Sequence, residues 1–262
     1  MPDVGYGRTE LAAMRESKVP QVTLGFWLIK IAATTLGETG GDAVTMTMQL
    51  GYAAGTAIFF ALFVAAVSAQ LRAPSFHPFL YWTVIVATTT VGTTMADFAD
   101  RSLGIGYMGG SLLLFGLLAA SLAAWRLTLG SIQFDRIETP RTEAFYWIAI
   151  LTSNTLGTAL GDFAADNGGL GFEGGALVFG AAILVVAAAY FFTRLSHALL
   201  FWAAFILTRP LGATVGDLLT KPHAAGGLNL DRIESSAVIA GLIVIAILML
   251  PQKAGGHPGA AR

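Results

Sequence analysis

The chain has 262 residues with a formal net charge of −1; 55% are hydrophobic and only 12% charged, about half the 25% or so of a soluble domain. It contains no cysteine, which excludes disulfides, thiolate metal sites and cysteine nucleophiles. No basic aromatic surface invites nucleic acid, and no P-loop, dinucleotide glycine pattern, His-Glu-x-x-His or nucleophile elbow is present, so an enzyme is not expected.

Residues 1–19 carry Glu10, Arg15, Glu16 and Lys18 without an apolar core or a small-residue cleavage site, and read as a short cytoplasmic helical segment rather than a signal peptide. Eight apolar runs follow, at 20–40, 51–71, 78–98, 106–125, 144–163, 171–192, 197–217 and 234–250. Each approaches the roughly 20 residues needed to cross a hydrocarbon core about 30 Å thick. The expected fold class is an all-α membrane protein of about eight transmembrane helices, in two halves (20–130 and 144–250) joined by a cytoplasmic linker at 131–143. Residues 251–262, rich in Gly, Ala and Pro, read as a flexible tail.

Loop charges set the expected orientation. Arg8, Arg15, Lys18, Arg72, Arg126, Arg136, Arg141, Arg194, Lys253 and Arg262 fall on one side, and only Arg101, Arg209, Lys221 and Arg232 on the other. Both termini are therefore expected in the cytoplasm and the acidic face in the periplasm.

The runs contain a repeat. Trp27, Trp82, Trp147 and Trp202 each follow an aromatic residue: Phe26, Tyr81, Tyr146 and Phe201. Ten residues beyond each Trp stands a glycine (Gly37, Gly92, Gly157, Gly212), fifteen beyond an aspartate (Asp42, Asp97, Asp162, Asp217), and twenty-four beyond another glycine (Gly51, Gly106, Gly171, Gly226). Four hairpins of one orientation imply approximate fourfold symmetry about the membrane normal. On this reading the aromatic pairs lie in an interfacial belt. The twenty-four-offset glycines, with Gly55, Gly110 and Gly175, are expected to give the partner helices close-packing faces.

Fifteen helical residues rise about 22 Å, so the four aspartates share one depth and converge if the odd-numbered helices line the axis. Offsets of seven or eight, eleven and fifteen fall on one helical face, which draws a stripe of hydroxyls beneath each Asp. Clustered carboxylates repel unless protonated or compensated by a cation. The expected cation ligands are Glu38, Asp42, Asp97, Asp100, Asp162, Asp166 and Asp217, with Glu173 a further possible member, and Thr35, Thr39, Thr94 and Thr158 supplying outer hydroxyls or a path. Oxygen ligands suit Mg²⁺, Ca²⁺, Mn²⁺ or another transition metal. His223, near Asp217, is a lesser candidate for a softer ion.

The fourth copy departs from the others by placing Arg209 where they have Thr34, Thr89 and Asn154, followed by Pro210. A buried Arg needs a partner; Glu38 and Asp162 are the candidates, and Pro210 is expected to kink its helix. Lys30 either snorkels to the interface or pairs within the bundle. Below the hydroxyls, Ile29, Ile31, Val84 and Ile148 suggest a closed path.

The stretch Lys18-Val-Pro-Gln-Val-Thr23, with Phe26-Trp27, Lys30, Thr34-Thr35, Gly37-Glu38 and Asp42, resembles the opening of a family of bacterial integral membrane proteins described as membrane-anchored proteins of unknown function. The likeness covers about residues 18–250 and implies a multi-pass inner-membrane protein. The residues themselves point to binding of divalent cations for sequestration or transport, with proton- or sodium-coupled transport of an organic solute as the alternative.

Overall fold

The structure, a computed structural model, describes residues 17–132, 137 and 139–255. The helix expected within residues 1–19 falls almost wholly outside these, as do most of the linker's 133–138 stretch and residues 256–262. The described chain forms eight long helices: α1 (Leu24–Asp42), α2 (Gly51–Arg72), α3 (Pro78–Asp97), α4 (Gly106–Leu129), α5 (Pro140–Asp162), α6 (Gly171–Phe192), α7 (His197–Thr220) and α8 (Arg232–Met249). Local chemistry sets several of their starts. Thr23 and Thr139 accept from the backbone N–H three residues on, as does His77 Nδ1, and Pro78 and Pro140 occupy first-turn positions where a missing N–H costs nothing.

The odd-numbered helices form an inner ring in the order α1–α3–α5–α7, closing back on α1. Each even-numbered helix packs on the inner helix of the following repeat: α2 on α3, α4 on α5, α6 on α7, and α8 back on α1. Fourfold cyclic order is thus built by exchange between neighbours. The repeats are hairpins in connectivity, but the principal packing of each outer helix is outside its own hairpin.

The ring closes on glycine. A methyl group on Gly37 would meet Thr89, on Gly92 Asn154 and Thr155, on Gly157 Arg209, and on Gly212 Thr34, each time within 3.1 Å. Every ten-offset glycine therefore lies against the seven-offset residue of the next inner helix, four times in cyclic order. Lacking a Cβ lets the two backbones approach closely, as small residues do between membrane helices.

The twenty-four-offset glycines do something other than the expected packing. Gly51, Gly106, Gly171 and Gly226 have φ of 65° to 85° with open space where a Cβ would lie. They supply left-handed turn geometry. Close packing on the outer helices belongs instead to Gly55, Gly110 and Gly175, which abut Thr45, Asp100 and Thr214.

Polarity is distributed inside out. Leu112, Leu113, Phe115, Leu184, Phe191, Phe192 and Leu248 are exposed on the outer helices, whereas fifteen Thr, Ser and Asn side chains of the ring are buried, among them Thr34, Thr88, Thr93, Ser153, Asn154 and Thr208 completely. In water this would be a poor fold; in a bilayer it satisfies both surfaces. Six of the eight helices are long and apolar enough to cross a membrane by length and composition. The other two, α1 and α5, are inner helices whose polar residues Lys30, Glu38 and Asn154 are buried away from lipid, while Leu24, Leu28 and Ile148 are exposed.

The aromatic pairs also turn inward, which corrects the interfacial-belt expectation. Phe26 meets Trp82 (ring centroids 5.5 Å apart), Tyr81 meets Trp147 (5.7 Å), Tyr146 meets Trp202 (6.3 Å) and Phe201 meets Trp27 (5.8 Å). This second cyclic set is tied by a 2.7 Å hydrogen bond between the Tyr81 and Tyr146 hydroxyls. Its members sit on inner helices, where axial burial of their area outweighs the pull of the headgroup region. The plug closes one end of the bundle together with buried Ile29 and Val84, while Ile148 faces outward.

At the same end the described termini meet. Gln21 N donates to Lys253 O (2.8 Å) and Gly255 N to Val19 O (2.8 Å), so residues 251–255 are held against 19–21. Lys18 Nζ adds a 2.9 Å pair with Glu143.

Candidate functional site

The opposite end of the ring carries the carboxylates. In the first three repeats the Asp is the last residue of its α-helix, and the chain widens at once into a five-residue π turn: Ala43–Thr47, Phe98–Ser102 and Phe163–Asn167. In the fourth, α7 runs on as α-helix through Pro210 to Thr220. π turns reorient the residues that follow them and recur at functional positions.

Asp42, Asp97, Asp162 and Asp217 are all buried, as is Glu38 one turn below Asp42. One carboxylate oxygen from each of Glu38, Asp162 and Asp217 lies within 4.8 Å of the other two. These come from α1, α5 and α7, so the close triad spans three of the four inner helices. Asp42 and Asp97 complete the cluster through shared cations.

Those cations come from the protein. Arg209 Nη2 pairs with Glu38 at 3.0 Å. Arg101 Nε pairs with Asp97 at 2.9 Å, and its Nη2 lies 3.6 Å from Asp162. Lys221 bridges Asp42 (2.7 Å) and Asp217 (3.1 Å), and Arg232 approaches Asp42 at 3.5 Å. At an effective dielectric of about 20, unit charges 4.8 Å apart repel by about 3.5 kcal/mol while the Glu38–Arg209 pair at 3.0 Å attracts by about 5.5 kcal/mol. Internal cations therefore hold the carboxylates together. Burial alone would lower the Lys221 ammonium, but Asp217 and Asp42 outweigh it and hold its pKa above the ordinary value.

Of the two candidate partners for Arg209, the structure selects Glu38. The guanidinium crosses the axis from α7, and also meets the Thr93 hydroxyl on the opposite helix α3. Thr93 in turn lies 3.3 Å from Glu38. Lys30 stays inside the bundle: its ammonium is fully buried, donates to Asn154 Oδ1 on the opposite helix α5 at 3.3 Å, and lies 4.1 Å from the centre of the Phe205 ring.

Other expected members stand apart. The Asp100 carboxylate packs against Gly110 on α4, with neither oxygen hydrogen-bonded; Asp166 and Glu173 are exposed. His223, also exposed, contacts Gly227 O at 2.9 Å. Thr35, Thr94 and Thr158 bond backbone carbonyls of their own helices, and Thr39 bonds Leu36 O and receives Ser236. Among the described residues, the hydroxyl that reaches the acids is Thr93.

Arg101, Lys221 and Arg232 were not anticipated as members of the site. A signal was present for two of them: Arg101 and Lys221 both stand nineteen residues after their Trp, four after Asp97 and Asp217, whereas the first and third repeats have Met46 and Asp166 there. The ring thus alternates repeats that bring an acid alone with repeats that bring an acid and its cation.

No curated protein and no solved structure matches the chain. One family profile does, four times, over residues 25–75, 80–130, 145–196 and 200–251. Each match begins two residues before a repeat Trp, so the profile and the cyclic ring divide the chain at the same places. These matches cover most of the sequence, and the protein belongs to the family described as Repeat of Unknown Function (DUF347).

Proposed function

We propose that this multi-pass membrane protein binds a cation, with a divalent metal ion as the first reading, at Glu38, Asp162 and Asp217, in order to sequester it or carry it. The observation that carries the reading is the convergence of three buried carboxylates within 4.8 Å. All-oxygen ligands at that spacing suit Mg²⁺, Ca²⁺ or Mn²⁺. The loop-charge bias turns this end towards the periplasm of a bacterial inner membrane.

An entering ion competes with the protein's own cations. Arg101, Lys221 and Arg232, with side chains 31%, 11% and 19% exposed, cover the acids, and an ion occupying the triad displaces at least part of that cover. Beneath it, Arg209 and Lys30 oppose further passage of a cation, as axial positive charge does in selective pores, and the aromatic plug closes the far end. The arrangement favours a binding site or a gated carrier over an open pore.

The test is a thermal-shift and calorimetric titration of the detergent-purified protein against Mg²⁺, Ca²⁺, Mn²⁺, Co²⁺, Ni²⁺ and Zn²⁺, beside Asp162→Asn and Asp217→Asn. Saturable stabilisation by one ion, lost in both variants, is expected. If none of these ions shifts the transition, the divalent reading fails.

A second reading is favoured by the internal pairing. Five buried carboxylates (Glu38, Asp42, Asp97, Asp162, Asp217) are paired with four cations (Arg101, Arg209, Lys221, Arg232), so the one negative charge left over is balanced by a single proton or Na⁺ better than by a divalent ion. The cluster then couples a gradient to movement of a small solute, and stability responds to pH or Na⁺ in the same titration.

A further inference from the structure

The middle of the bundle holds a second charged constellation, of the opposite sign. Lys30 and Arg209 stand on adjacent inner helices, one turn apart in the repeat frame (three and seven residues after their Trp), or about 6 Å along the axis. Both reach across the ring. Lys30 extends from α1 to Asn154 on α5, and Arg209 from α7 to Thr93 on α3, so the two cationic groups meet the bundle axis in successive layers.

Their partners are too few. Both side chains are completely buried. Arg209 satisfies Nη2 with Glu38 and Thr93, but its Nε and Nη1 have no hydrogen-bond partner. Lys30 has one amide acceptor and an aromatic face, and among the described residues no carboxylate lies within ion-pairing distance of it. Asn154 turns its amide Nδ2 to Thr88 (3.0 Å) and only its oxygen to the lysine, so no further acceptor comes from that side. At the same level of the repeat frame, Thr89 and Ser153, seven and six residues after their Trp, also leave their oxygens without a partner.

Buried donors without acceptors cost free energy, and buried cations without counter-charge cost more. Two cations and unused N–H groups against one carboxylate call for an acceptor-only group of negative charge. We propose that Lys30 and Arg209 form a buried site for a small inorganic anion of chloride's chemistry, held between α1 and α7 on the axis below the acids. The site uses neither Asp162 nor Asp217, and it stands whether or not the triad takes a cation.

The experiment compares the melting of the purified full-length protein in sodium chloride, sodium bromide and sodium gluconate at equal ionic strength and pH, with anomalous diffraction from bromide-soaked crystals. Chloride and bromide are expected to raise the melting temperature saturably over gluconate, and bromide to give an anomalous peak beside the Lys30 ammonium and the Arg209 guanidinium. Lys30→Met removes the halide dependence and Lys30→Arg keeps it; both variants retain the ion pairs of the acidic end, so loss of cation response and loss of halide response are separable. Equal melting in all three salts with no bromide peak overturns the proposal and assigns the spare donors to water.

Discussion

Removing Arg209 tests the coupling at the heart of the ring. In Arg209→Met the Glu38 carboxylate keeps the Thr93 hydroxyl but loses its guanidinium at 3.0 Å, and still has oxygens of Asp162 and Asp217 within 4.8 Å. Breaking one side of a buried pair costs about 3–5 kcal/mol, and the two unscreened repulsions of about 3.5 kcal/mol each at a dielectric near 20 point to the upper part of that range. For a chain of this size, with about 2–4 °C per kcal/mol by the scaling of soluble domains, melting falls by about 6–20 °C. The decisive variant is Arg209→Met with Glu38→Gln, which removes both charges. It should recover at least 2 kcal/mol relative to the sum of the single changes in a double-mutant cycle, read by calorimetry in one detergent. Additive losses would mean that the pair is not coupled and that Arg209 is held by packing against Gly157 alone.

Gly212→Ala places a methyl 2.8 Å from the Thr34 backbone carbon, and the overpacking should cost about 1–3 kcal/mol; Gly116→Ala, in open space within α4, should be neutral or gain up to about 1 kcal/mol of helix propensity. Equal melting of the two variants would refute the glycine-closed ring. Lys221→Met removes the cation that bridges Asp42 and Asp217, so the affinity of the triad for the ion that stabilises it should rise about tenfold, a change of about 1.4 kcal/mol; weaker binding measured by the same titration would show that Lys221 assists the site instead of competing with it.

The repeat was legible because Trp, Gly and Asp recur at fixed offsets, and equal offsets on equivalent helices put Asp42, Asp97, Asp162 and Asp217 at one depth. The neighbour exchange was not. Apolar composition says that α2 meets lipid, but nothing in it names α3 rather than α1 as the helix beneath. The inward aromatics were misjudged for a related reason: Trp and Tyr near the end of a span are interfacial only if their helix touches the bilayer. Asp100 and Asp166 were grouped with the ring as further acids close behind the repeat aspartates, but the chain there has already changed to π winding, which leaves Asp100 against Gly110 and Asp166 exposed. The role of Arg209 was legible as a break in symmetry, since a single Arg among Thr34, Thr89 and Asn154 demands a counter-charge; the share of Lys221 and Arg101 was hidden because both read as loop residues.

The exchange of outer helices governs how such a ring comes to exist. During synthesis, α1 emerges carrying Lys30, Glu38 and Asp42 and has no outer helix over it until α8 arrives to lie on it. The ring closes only once α8 is in place, where residues 251–255 also lie against residues 19–21. A polypeptide of two repeats would present one bare inner helix and one outer helix without a seat, and two copies head to tail would supply each other's deficit. The 120-residue spacing between the halves, Trp27 to Trp147 and Trp82 to Trp202, is the footprint such a pair would leave after fusion into one chain.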